Sequence, residues 1–157
     1  MNIRVLEMPL DFGGNRHGSD MGPSAIRLAG LKEELNKLNY SNVEFSSPIQ
    51  ISRQEQEDIG DSKARYLKPI VNACNLLAEN VESVIDDGDF PIVLGGDHSI
   101  ALGTLAGLSS AYKGTDKRIG VLYVDAHGDF NDCETSPSGN IHGMCMSASC
   151  GYGIPDL

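Results

Sequence analysis

Basic residues are scarce in this chain. Lysine and arginine together number 12 against 22 aspartates and glutamates, a formal net charge of −10. That imbalance repels phosphate backbones and anionic bilayers, so nucleic acid and membrane surfaces are not expected partners, and the acidity serves solubility. Cysteine is sparse too: Cys74, Cys133, Cys145 and Cys150 include no CxxC pair, which argues against a disulfide-built secreted domain. Cys74 falls on the apolar face of a helical pattern and reads as a small buried hydrophobe. No apolar run approaches the roughly 20 residues needed to cross a bilayer. The opening residues turn polar by Asp11, leaving no signal-peptide core, so a cytoplasmic location is expected. The glycine-rich stretch 13–18 lacks the lysine and the serine or threonine of a phosphate loop, and also the spacing of a dinucleotide fingerprint. His17 within it reads as a surface or substrate-loop residue.

What is present reads as one globular domain: 157 residues, 40% hydrophobic and 22% charged. Residues 3–8 form an apolar strand. Gly22-Pro23-Ser24 starts a helix, with proline early, where its missing N–H costs nothing. Ala25, Ile26, Leu28, Ala29 and Leu31 give that helix its apolar residues and carry it to about Leu38. Residues 43–45 suggest a short strand and 46–61 a polar surface loop. Leu67, Ile70, Val71, Cys74, Leu77, Val81, Val84 and Ile85 recur at three- and four-residue spacings, predicting a helix over 62–86 that stops at Asp87-Gly88. The continuous apolar run 90–94 predicts a buried strand, 99–112 a helix, and 119–124 a further strand. Strand and helix alternate, which is the pattern of a parallel α/β sheet.

Residues 125–131 read Asp-Ala-His-Gly-Asp-Phe-Asn, directly after the apolar run 119–124. A strand ending in Asp125, His127 and Asp129 at alternate positions aims all three at one point. His98 follows the strand at 90–94, and ligands of parallel sheets sit beyond the carboxyl ends of strands, so the two groups are expected to converge. Burying such a set without an ion is costly, so His98, Asp125, His127 and Asp129 are candidate metal ligands. Nitrogen and carboxylate donors favour Mn²⁺ and leave Zn²⁺, Fe²⁺ and Co²⁺ open. Two carboxylates on one strand point to two ions about 3.5–4 Å apart, and hence to hydrolytic chemistry. Two divalent ions carry four positive charges and Asp125 with Asp129 only two negative ones, so further carboxylates are needed. Asp97 is expected to orient His98 rather than bind metal, and Asp132 is out of register. A catalytic thiol is not expected among harder donors.

Gly-Gly-Asp-His-Ser at 95–99, Asp-Ala-His-Gly-Asp-Phe-Asn at 125–131 and Ser-Pro-Ser-Gly-Asn-Ile-His-Gly-Met at 136–144, in that order, resemble the ureohydrolase superfamily, and within it arginase. The segment 18–31 is similar to the arginase N-terminal region, so the likeness spans nearly the whole chain. The resemblance implies a three-layer α-β-α fold with a mainly parallel sheet, truncated part-way, with residues 1–157 as the N-terminal part of a single domain. It implies that His98, Asp125 and Asp129 hold one Mn²⁺ and His127 the other, with Asp125 bridging. Asn131 and Ser138 match positions that bind an α-carboxylate, and His142 matches a proton-shuttle histidine. The implied reaction converts L-arginine and water to L-ornithine and urea through a metal-bridging hydroxide, in trimers or hexamers. Agmatinases share the first two motifs, whereas the 138–142 stretch resembles arginase. Agmatinase, and a non-catalytic metal-binding or interaction module, remain the alternatives. The family's later Asp-x-Asp ligand pair and its downstream acidic substrate residues have no counterpart in these 157 residues, in line with the charge count.

Overall fold

The computed structural model describes residues 1–52 and 54–157. Three parallel strands, β1 (Ile3–Met8), β2 (Val43–Phe45) and β3 (Phe90–Gly95), form a sheet in the order β2-β1-β3. Ile3 lies opposite both Val43 and Phe90, and Met8 opposite Gly95. The central strand β1 is apolar on both sides. Ile3 and Val5 join Val43 and Leu94 against Leu31 and Leu35 of a flanking helix, while Leu6 and Met8 enter the larger core on the other face. Alternation along β1 thus commits one residue set to each helical layer. The result is the expected three-layer arrangement, with α1 (Gly22–Leu28) and α2 (Leu31–Lys37) on one side and α3 (Leu67–Asp86) and α4 (Ile100–Ala111) on the other. A short helix, α5 (Cys145–Ser149), follows a 3-10 turn at Ile141–Met144. Among the described residues no helix is long and apolar enough to cross a membrane.

Helix boundaries depart from the sequence pattern where the backbone turns left-handed. The single helix expected over 22–38 breaks at Gly30, whose φ of 95° a side-chain-bearing residue rarely adopts. The long helix begins at Leu67 rather than 62. Tyr66, at φ 57°, closes the preceding turn by donating its N–H to the Ile59 carbonyl at 2.8 Å. From there Ile70, Ala73, Cys74, Leu77, Val81 and Val84 are buried at helical spacing. Cys74 is buried as expected, and desolvation pushes its thiol up to about 12.

Residues 119–124 are not a strand. Leu122 is 90% and Val124 89% exposed. An apolar groove of about 510 Å³ between this segment and β3 is lined by Phe90, Val93, Leu108, Val121 and Met146, among others. Apolar composition meets only half of a strand's needs. The other half is a neighbour's N–H and C=O groups, and among the described residues 119–124 has no such neighbour. For the same reason β3 is mostly half-buried, with Leu94 alone fully buried, instead of the buried strand its composition suggests.

Glu7 is only 2% exposed, although β1 is otherwise apolar at its centre. Arg27 of α1 reaches down to it, with Nη1 at 2.8 and 2.9 Å from the two carboxylate oxygens. Arg27→Ala strands that carboxylate, and the expected loss is about 3 kcal/mol of folding stability. Chemical denaturation measures it, and an unchanged midpoint would contradict the assignment.

Candidate metal centre

At the carboxyl end of β3 the chain passes Gly95-Gly96-Asp97 before His98. A Cβ on Gly96 would lie 1.7 Å from the Leu10 carbonyl oxygen, so only glycine lets the backbone run against the 9–13 turn. The Asp97 N–H donates to that carbonyl at 2.8 Å, which pins the start of the loop. His98 therefore stands at the sheet's carboxyl edge, as parallel topology requires.

Its Nδ1 lies 2.8 Å from Asp129 Oδ2 and 3.0 Å from Asp125 Oδ2. Ligand atoms of His98, Asp125 and Asp129 all fall within 4.8 Å of one another. A single ring nitrogen carries at most one proton, which the two carboxylates would have to share. The Tyr123 hydroxyl donates to Asp129 and sits 3.1 Å from the same Nδ1. Two carboxylates, one of them buried, thus converge on one imidazole edge. A divalent cation would relieve that crowding of negative charge, and the nitrogen and oxygen donors suit one. The residues fit a metal.

His127 is not brought into this group. It is 83% exposed, with Nδ1 3.5 Å from Asp125 Oδ1. Alternation aims side chains together only in an extended chain, and 125–129 turns instead: the His127 N–H donates to Asp125 Oδ1 at 2.8 Å, and Asp129 has φ 46°. Asp129 meets Asp125 across that turn. The same His127 N–H holds the Asp125 carboxyl below the usual carboxylate range, helped by the charges of His98 and His127 and opposed by desolvation.

His142 lies on the 3-10 turn, with its ring centroid 6.3 Å from that of His98. Its N–H donates to the Gly13 carbonyl at 3.2 Å. Asn131 donates its backbone N–H to the Gly143 carbonyl at 3.1 Å, which ties the first motif's end to the His142 turn. Ser138 is half-buried, and its Oγ accepts the Asn140 N–H at 3.3 Å. His17 is exposed on its loop beside Asp11, in keeping with a surface position. Asp132 caps the N–H groups of Glu134 and Thr135 outside the cluster. Asp97 does not bond to His98: its oxygens accept the Gly13 N–H at 2.8 Å and the Ser99 N–H at 2.9 Å.

Sequence reasoning missed Tyr123, whose hydroxyl enters the cluster although its position reads as one more apolar strand residue. Burial, and donation to Asp129, push that hydroxyl's pKa upward. Burial likewise pushes the Cys145 thiol up to about 11, which leaves it a poor nucleophile.

Residues 1–156 match the arginase family. The chain is 50% identical to the arginase of Bacillus caldovelox over 156 residues, covering 99% of this chain and 50% of that protein. It is 48% identical to the arginase of Bacillus subtilis over 155 residues, with the same shares covered. The solved Bacillus caldovelox arginase structure matches with a TM-score of 0.90 at 49% identity, over 99% of this chain and 51% of that one. The structure of Entamoeba histolytica arginase in complex with L-ornithine matches with a TM-score of 0.88 at 33% identity, over 99% of this chain and 52% of that one. The chain belongs to the arginase family. It spans about half the length of the curated relatives it matches.

Proposed function

We propose that the protein serves the hydrolysis of L-arginine to L-ornithine and urea at a binuclear manganese centre. In this reading residues 1–157 are the N-terminal part of that single domain. The observation that carries it is the convergence of His98, Asp125 and Asp129 within 4.8 Å at the carboxyl edge of a parallel sheet, in a chain of the arginase family. A relative solved with L-ornithine supports the product side of the reaction.

His98, Asp125 and Asp129 would hold one ion, and His127, turned inward from its exposed position, the other. Bound manganese supplies Lewis acidity and an activated water. Asn131 and Ser138 offer an amide and a hydroxyl, donors suited to the substrate's α-carboxylate. His142 stands one ring away from His98, and imidazole is the side chain suited to relay a proton near neutral pH. Water adds its oxygen to the guanidinium carbon, the C–N bond to the ornithine side breaks, and the proton passes through the His142 ring to the departing amine.

Agmatine has no α-carboxylate, so the Asn131 and Ser138 assignments favour arginine. With only two carboxylates in the cluster, the 157-residue chain is expected to take up a single Mn²⁺ and to release no urea from arginine. Joined to the C-terminal half of Bacillus caldovelox arginase, it should release urea from arginine in preference to agmatine in a colorimetric assay. Faster turnover of agmatine would overturn the substrate, and urea from neither substrate would overturn the function.

A further inference from the structure

We propose that Asp97 is a positioning residue for His142, acting through Gly13. The inference rests on the arginine-hydrolysis reading for what His142 does, but not for how it is held. Gly13 is gripped at both ends. Its N–H donates to Asp97 Oδ2 at 2.8 Å, and its carbonyl accepts the His142 N–H at 3.2 Å. No side chain fits between: a Cβ on Gly13 would lie 2.2 Å from Ser99 Oγ and 2.6 and 2.8 Å from the Asp97 oxygens. The next residue continues the contact, because a Cβ on Gly14 would lie 3.7 Å from the His142 ring.

The path therefore runs from the β3–α4 turn that carries His98, through the Asp97 carboxylate and Gly13, to His142. The rings of His98 and His142, 6.3 Å apart between centroids, share no hydrogen bond among the described residues. Their spacing is set by this backbone strap, along with the tie from Asn131 to Gly143. A purely local role in the turn before α4 would explain only the Asp97 bond to the Ser99 N–H. The second oxygen, committed to a residue 84 positions away, does no capping.

The test uses Asp97→Ala and Asp97→Asn in the 157-residue chain, followed by NMR. In Asp97→Ala the amides of Gly13 and His142 should exchange with solvent about tenfold faster, as expected for the loss of one hydrogen bond. The His142 ring C–H signals should shift towards those of a denatured chain, with the His98 signals moving less. Asp97→Asn keeps one carbonyl acceptor and should restore part of the His142 shift, and it decides the matter if the alanine variant fails to fold. Faster exchange at Ser99 with unmoved His142 amide and ring signals, in whichever variant is folded, would overturn the proposal and leave Asp97 a local turn residue. These readouts need neither metal nor arginine, so a failed urea assay does not decide them.

Discussion

Replacing His98 or Asp125 with alanine is expected to weaken Mn²⁺ binding by at least about 100-fold. The size follows from how few donors meet at that point. Among the described residues three side chains supply ligand atoms within 4.8 Å of one another. His98→Ala removes the sole nitrogen donor and the only one anchored to β3. It leaves the Asp125 and Asp129 carboxylates facing each other without the imidazole between them. Asp125→Ala leaves one carboxylate and one imidazole, half the negative charge that attracts a divalent ion. Folding should change far less than binding, since the His98 imidazole is nearly half exposed. Calorimetric titration with MnCl₂ reads both affinity and stoichiometry, and His17→Ala, in an exposed loop, serves as the control. Unchanged affinity and stoichiometry in both site variants would refute the centre.

The double variant Gly103→Ala/Gly107→Ala is expected to lose about 3 kcal/mol of stability. Helix propensity alone predicts the opposite sign, because alanine is favoured over glycine by about 1 kcal/mol in a helix interior. Packing decides. A Cβ on Gly103 would lie 2.6 Å from the Cys74 carbonyl oxygen, and one on Gly107 would lie 2.5 Å from that of Ala78 and 2.7 Å from Val81 Cβ. The first contact in each case is backbone of α3, which cannot swing aside as a side chain can. The two glycines, four residues apart, let α4 lie against α3 nearly backbone to backbone. Gly120→Ala, where an added Cβ meets nothing within 4 Å, is the neutral control. A raised urea midpoint in the double variant would show that propensity outweighs packing.

Several elements were legible because one local signal settles each. The period of α3 is carried by its own residues, with Ile70, Ala73, Cys74, Leu77, Val81 and Val84 buried together. The apolar run of β1 and the Gly22-Pro23 start of α1 are equally local. His98 and the 125–129 motif are legible as candidate donors from residue type alone; parallel topology puts His98 at the sheet's carboxyl edge, and Asp125 and Asp129 lie beside it although 119–124 joins no strand among the described residues.

The departures from the sequence pattern share a cause. Residues 119–124 have the composition of a strand, but pairing is a property of two segments, and among the described residues they have no paired neighbour. Alternation aims His127 together with its flanking aspartates only in extended backbone, whereas a left-handed Asp129 turns the chain and leaves the His127 ring exposed. Adjacency in sequence pairs Asp97 with His98, but its carboxylate accepts from Ser99 and from Gly13, 84 positions away.

Composition, periodicity and three ordered motifs, with the family they resemble, determined the class of fold, the family and the side chains that could bind metal. These follow from each residue's own chemistry and its near neighbours. Which donors meet, which face solvent, and what holds His142 beside His98 were decided only by tertiary structure. Those outcomes depend on hydrogen bonds and close approaches between segments far apart in the chain, and each is settled by space that several segments must share.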